Sequence, residues 1–226
     1  MASIGPLYPG SAPTSTAGNG GGTVDWINPD RAQTENDDGA TVTLGSKQTA
    51  KYLKCVNFPN TSIPGTSTMD GILLEIRGRQ TAGSGGGGLT ANLFDSSGAE
   101  LGSNGHSFGT PPFTGSFAYI SLGGSTDPWF GGRPASDFTG ALAGVGVWAN
   151  TATGASATIE IDTVRMTYYY TPPATSSPNL LLMGVGSILA AASAWLGYLP
   201  WLRSKLWHAG YWLKGGQWIT CTKGIV

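Results

Sequence analysis

The segment ATIEIDTVRMTYYYT (157–171) constrains the fold more than any other, because it alternates like a β-strand and then slips by one residue. Ile159 and Ile161 share one parity, whereas Val164, Met166, Tyr168 and Tyr170 share the other. Successive side chains of a strand point to opposite faces, so the slip turns every later residue over. A β-bulge lets a long strand change sheets or turn a corner in this way, and Asp162-Thr163 is the place for it. The competing reading has no bulge and lets Val164 to Tyr170 face a second apolar surface, such as a neighbouring subunit.

The rest of the chain up to Thr171 agrees with a sandwich. Short apolar-rich runs recur between Gly, Pro, Asn and Asp clusters: TVTL (41–44), YLKCVNF (52–58), GILLEIRG (71–78), LTANLFD (89–95), SFAYISL (116–122) and GVGVWAN (144–150). With an opening strand and the closing one they make roughly seven or eight strands, the number expected of an all-β, antiparallel, jelly-roll-like sandwich. Ile72, Leu74 and Ile76 point inward against Glu75 and Arg77; Leu89, Ala91 and Leu93 repeat the theme, as do Phe117, Tyr119 and Ser121. The 36 glycines and 14 prolines supply the turns, and the scarcity of Lys and Glu disfavours long helices.

Composition narrows function by exclusion. A net charge of −1, without a basic stripe, gives nucleic acid no attraction. Cys55 and Cys221 lie far apart, and Cys55 alternates with core-like neighbours, so neither a disulfide framework nor a metal knuckle is visible. The start, MASIGPLYPGSAPTSTAGNGGG, has neither basic nor apolar signal regions, so Asn60-Thr61-Ser62 reads as a chance glycosylation triplet.

Five regions follow. Residues 1–23 form a flexible or assembly-ordered arm, 24–171 the sandwich, and 172–178 a Pro/Ser linker. The run NLLLMGVGSILAAASAWLGYLPWL (179–202) carries no charge and is expected to be an apolar helix. About 20 such residues suffice to cross a bilayer, with 180–199 as the span and Arg203, Lys205 and Lys214 beyond it. Leu180, Leu181, Leu182, Ile188, Leu189, Trp195, Leu196, Leu199 and Trp201 are the anchor candidates, for lipid or for a protein interface. In 203–226, YWLK and QWIT flank Gly215-Gly216 as a hairpin that sets Trp212 against Ile219 and Leu213 against Trp218.

Chemistry is sparse. His106 and His208 have no partner at ligand or triad spacing, and no nucleophile elbow, zinc motif or phosphate loop occurs. No cofactor is expected. Glu35, Asp37 and Asp38 could offer oxygens to calcium, against the default of a solvated turn. Asp127, Trp129 and Phe130, with Trp148, are the candidate glycan-binding residues, since a flat ring packs on a sugar face while a carboxylate takes its hydroxyls. Aromatic plugs at the end of a sandwich core have the same sequence and are the commoner case. A glycosidase would need two carboxylates about 5–10 Å apart across a cleft, and the scattered acids define no such pair.

The series WINPDRA…DDGATVTL, FPNTSIP…GILLEIRGR, LTANLFDSSGAELG, LGGSTDPWFGG…SDF, GVGVWAN and IEIDTVRMTYYYTP resembles a recurrent β-sandwich module in structural proteins of tailed bacteriophages, from about Trp26 to Pro172. The resemblance implies a non-enzymatic virion component that displays a sandwich on a tail, fibre or capsid surface. Its partners would be other virion proteins and other copies of itself; the small residues Gly186, Ala190 and Ala194 of the apolar run suggest a homotrimer, and the aromatic and carboxylate residues named above make a host-surface glycan a further candidate. The apolar run and the Trp-rich tail lie outside the resemblance, and a membrane-anchored display protein is the second reading.

Overall fold

The computed structural model describes residues 1–18, 22–83, 87–102, 105–108, 113–129, 131, 133–174, 211–214 and 217–220. The chain divides into two compact units, Met1–Pro173 and Ala174–Val226.

The first unit is a sandwich of two antiparallel sheets. Its strands are β1 (Ala2–Leu7), β2 (Thr14–Thr16), β3 (Ala40–Leu44), β4 (Tyr52–Val56), β5 (Thr68–Ala82), β6 (Gly87–Phe94), β7 (His106–Phe108), β8 (Ala118–Gly124), β9 (Gly144–Thr151) and β10 (Ala157–Thr171). Sheet one runs β1-β10-β5-β8 with β3 also on β10; sheet two runs β2-β4-β9-β6-β7. From β3 onward the pairs nest: β3 with β10, β4 with β9, β5 with β8, β6 with β7. The pairs alternate between the two sheets.

The parity slip in β10 is a bulge. Ile161 lies opposite Gly78 and Thr163 opposite Arg77, leaving Asp162 as the extra residue. Ile159, Ile161, Val164, Met166 and Tyr168 consequently all reach one core, with Ile72, Leu74 and Ile76 of β5 and Val145, Val147 and Ala149 of β9. Without the slip, Val164, Met166 and Tyr168 would turn outward. At about 1.5–3 kcal/mol per buried side chain, that loss far exceeds the few ladder bonds a bulge disturbs.

One expectation is corrected. On β8 it is Ile120 and Leu122 that pack on the core, so Phe117, Tyr119 and Ser121 belong to the outer face. The N-terminal arm, expected to be flexible or ordered by the assembly, pairs within its own unit over its two strands: β1 with the far half of β10, and β2 with β4. The arm carries too few large apolar groups to read as strands, but each sheet offers an open edge whose backbone groups need partners.

In the second unit β11 (Tyr211–Lys214) pairs with β12 (Gln217–Thr220), with Trp212 opposite Ile219 and Leu213 opposite Trp218, the expected register. The run 179–202, and with it Leu180, Leu181, Leu182, Ile188, Leu189, Trp195, Leu196, Leu199 and Trp201, lies outside the described residues. Among the described residues no helix is long and apolar enough to cross a membrane.

Candidate functional site

The sandwich concentrates its polar chemistry in three places: the outer face of each sheet and the rim between them. On sheet one the bulge swings Asp162 toward Arg77, and the carboxylate is 0% exposed. The Arg77 guanidinium also meets Asp37 at 2.6 Å and Glu35 at 3.4 Å. The amide of Asn36 donates to Asp162 Oδ1 at 3.1 Å, and that of Gly39 to Glu160 Oε1 at 3.2 Å. These bonds strap the loop 35–39 across the stretch of β10 that lies between its partners β3 and β1. The Asp37 carboxylate, then that of Asp162, raise the Arg77 pKa further above its already high ordinary value, overcoming the cost of burial.

Around this centre Arg165 grips Glu75 with two bonds of 2.9 Å, and Arg79 holds Glu160 at 2.7 Å. The aromatic rings of the β8 region lie over the cations, Phe117 4.2 Å from Arg79 and Tyr119 4.0 Å from Arg165. Such contacts contribute roughly 0.5–1 kcal/mol at exposed sites. The Tyr119 hydroxyl donates to Glu35 at 2.6 Å; burial first, then that carboxylate, push its pKa up.

The candidate calcium ligands are thus engaged by arginines, Glu35 and Asp37 by Arg77 and Asp38 by Arg31 at 2.5 Å. Among the described residues no group of three or more His, Cys, Asp or Glu side chains could hold a metal ion.

Sheet two carries aromatics instead. Tyr52 meets Phe94 and Trp148 edge-on, at centroid distances of 5.7 and 4.9 Å. The Tyr52 hydroxyl donates to Glu100 at 2.7 Å and accepts from Asn92 Nδ2 at 3.0 Å. Burial, and then Glu100, raise the pKa of that hydroxyl. The Lys54 ammonium sits 4.2 Å from the Phe94 ring centre.

At the rim, Trp129 occupies a left-handed backbone conformation with φ of 60°. Its amide donates to Asp127 Oδ1 at 2.9 Å and its indole N–H to the Ile72 carbonyl at 2.8 Å. The His106 ring stacks on it at 4.1 Å, inclined by 5°, and its Nε2 contacts Asp127 Oδ2 at 2.6 Å. Burial opposes ionisation of Asp127, but the bonds from His106 and the Trp129 amide outweigh it and hold its carboxyl below the usual range.

Of the glycan candidates the structure joins Asp127 to Trp129 and separates both from Trp148. Trp129 packs in the main core and Trp148 in the cluster with Tyr52 and Phe94. Their exposures of 8% and 9%, and the histidine on the Trp129 face, describe plugs rather than open platforms. Phe130 lies outside the described residues. Sequence reading missed the pairing of Arg77 with Asp162, whose one signal was an acid at the point where the alternation slips.

No family model and no curated protein matches the chain. Among solved structures, an arabinose-bound α-L-arabinofuranosidase overlaps with a TM-score of 0.36 at 15% identity, covering 72% of this chain and 25% of the enzyme. A xylan-binding domain from Paenibacillus barcinonensis overlaps with a TM-score of 0.29 at 12% identity, covering 74% of this chain and 90% of that domain. This chain therefore spans a quarter of the arabinofuranosidase's length. At these TM-scores neither neighbour bears on what the chain does.

Proposed function

We propose that the chain is a non-enzymatic structural protein of a bacteriophage virion, in which a jelly-roll sandwich is displayed on a tail, fibre or capsid surface and its C-terminal apolar segment holds it in the assembly. The observation that carries this reading is the division after Pro173. One unit pairs the charges on the outer face of sheet one internally and covers one edge of each sheet with its own N-terminal strands; the other contains the charge-free run 179–202, which needs burial that the run itself does not provide. The nested strand pairs support the jelly-roll description, and the resemblance of 26–172 to phage structural modules supports the virion setting.

The test compares the full chain with one ending at Pro173 by size-exclusion chromatography with light scattering. The full chain is expected to form a homotrimer without detergent and the shortened chain a monomer. A full chain that stays dispersed only in detergent would replace this reading with the second one, a membrane-anchored display protein. That reading is favoured by the length of the run and by Arg203 and Lys205 directly after it.

A further inference from the structure

The N-terminal residues 1–16 fill a slot that is built for them. β10 gives one edge to two partners: β3 covers Ala157–Ile161, and β1 covers the far half, with Leu7 opposite Met166, Ile4 opposite Tyr168, Ser3 opposite Tyr169 and Ala2 opposite Tyr170. The slot is selective. Gly5 has φ of 137°, and a Cβ there would lie 2.7 Å from the Met166 carbonyl oxygen, so a strand with any larger residue at that point cannot seat in the same register. Beyond β1 the Tyr8 hydroxyl bonds Arg165, the Gly10 amide donates to the Asn57 carbonyl at 2.9 Å, and β2 pairs with β4. Sixteen residues therefore cover one edge of each sheet, and their departure would uncover both edges at once.

We propose that this arm is an exchangeable element, and that in the assembled protein the slot on β10 and β4 is filled by residues 1–16 of a second copy. The occupant is fixed by the slot: it needs glycine at the fifth position and a second strand that reaches the other sheet, and a second copy supplies both. Exchange repeats every bond of the arm, so it changes the connectivity and not the contacts, the condition under which swapping between protomers is inexpensive. The arm is joined to the body only through Ala17–Thr23, a length of chain that extends at most about 25 Å. The main side-chain anchors of β1 are Ile4 and Leu7, both only partly buried, which places this strand at the low end of local stability. The proposal rests on the assembly reading only in requiring an oligomer.

Disulfide trapping in the full chain tests it. Ser3→Cys and Tyr169→Cys are placed on separate, differently tagged copies, each carrying Cys221→Ser, and co-expressed; Ala2→Cys with Tyr170→Cys repeats the experiment one register step away and serves if the first pair impairs folding. A covalent heterodimer on non-reducing gels, absent when either variant is expressed alone, is the expected result. When both cysteines are on one chain, cross-linked multimers are expected as well. If light scattering reports an oligomer but both register pairs close only within one chain, exchange is overturned and the assembly reading stands. A chain that is monomeric at every concentration overturns both.

Discussion

The two outer faces of the sandwich solve the same problem with opposite chemistry. Both must cover a β-surface that the core does not use. Sheet one does so with arginines, each held by a carboxylate and several roofed by a ring; sheet two does so with Tyr52, Phe94 and Trp148 packed edge-on around a small hydrogen-bonded group. The difference follows from what lies above each face. On sheet one a loop crosses it, and its amides and acids need charged partners; on sheet two Gly146 leaves room for rings to sink onto the strands. A charged cover depends on pairing, and an aromatic cover depends on volume, so the faces should fail under different substitutions.

The largest effect is expected at Asp162. Asp162→Ala removes the buried partner of Arg77, which is itself only 17% exposed, and strips the Asn36 amide of its acceptor. Breaking a buried pair from one side costs about 3–5 kcal/mol, and urea unfolding of the variant should register a loss of that size. Asp38→Ala, which breaks a pair that is about half exposed on both sides, should lose under about 1 kcal/mol. Equal losses would erase the distinction between a structural centre and a solvated rim on this face.

A smaller effect of different origin is expected on sheet two. A Cβ at Gly146 would lie 2.7 Å from Phe94 and 2.9 Å from Tyr52, so Gly146→Ala overpacks the cluster and should destabilise by about 1–3 kcal/mol. The double variant Gly146→Ala with Phe94→Leu should recover part of the loss, since Phe94 then yields the space. No recovery would mean that the backbone of β9, and not the ring cluster, sets the cost. Salt should leave both variants unchanged, in contrast to Asp38→Ala, whose lost pair is about half exposed and open to screening.

The sequence revealed these faces unequally, for physical reasons. The bulge at Asp162 was legible because a period of two makes a one-residue slip visible without knowledge of any partner. The register of β11 and β12 was legible because a two-residue turn dictates which residues face each other. The outward placement of Phe117 and Tyr119 was not: hydrophobicity puts rings inside, and only the presence of Arg79 on β5 and Arg165 on β10 makes the outer face a favourable place for them. β1 and β2 were hidden because their stability resides in the edges that receive them. Arg77 and Asp162 are 85 residues apart, beyond the reach of any local pattern. The separation of Trp129 from Trp148 likewise depends on which sheet face each residue reaches, whereas the loop composition around a plug and around a sugar platform is the same.

The smallest effect is expected at the seam between the faces, where His106 of β7 in sheet two meets Asp127, the residue that orients Trp129 against β5 in sheet one. The Asp127 pKa is held below its ordinary 3.8. A depressed folded-state pKa gives a stabilisation that is complete above the unfolded value and disappears as pH falls through the folded one. The contribution of Asp127 should therefore be constant at neutral pH and decline below about pH 4. Because the side chain is 41% exposed, solvent screening limits it to under about 1 kcal/mol. Asp127→Asn keeps an acceptor for the Trp129 amide and removes the titration, so thermal melts of the parent and the variant should differ at pH 7 and converge toward pH 2. Parallel curves across that range would mean that the seam is held by the stacking of His106 on Trp129 and not by the carboxylate, which would confine charge-based stabilisation to the outer face of sheet one.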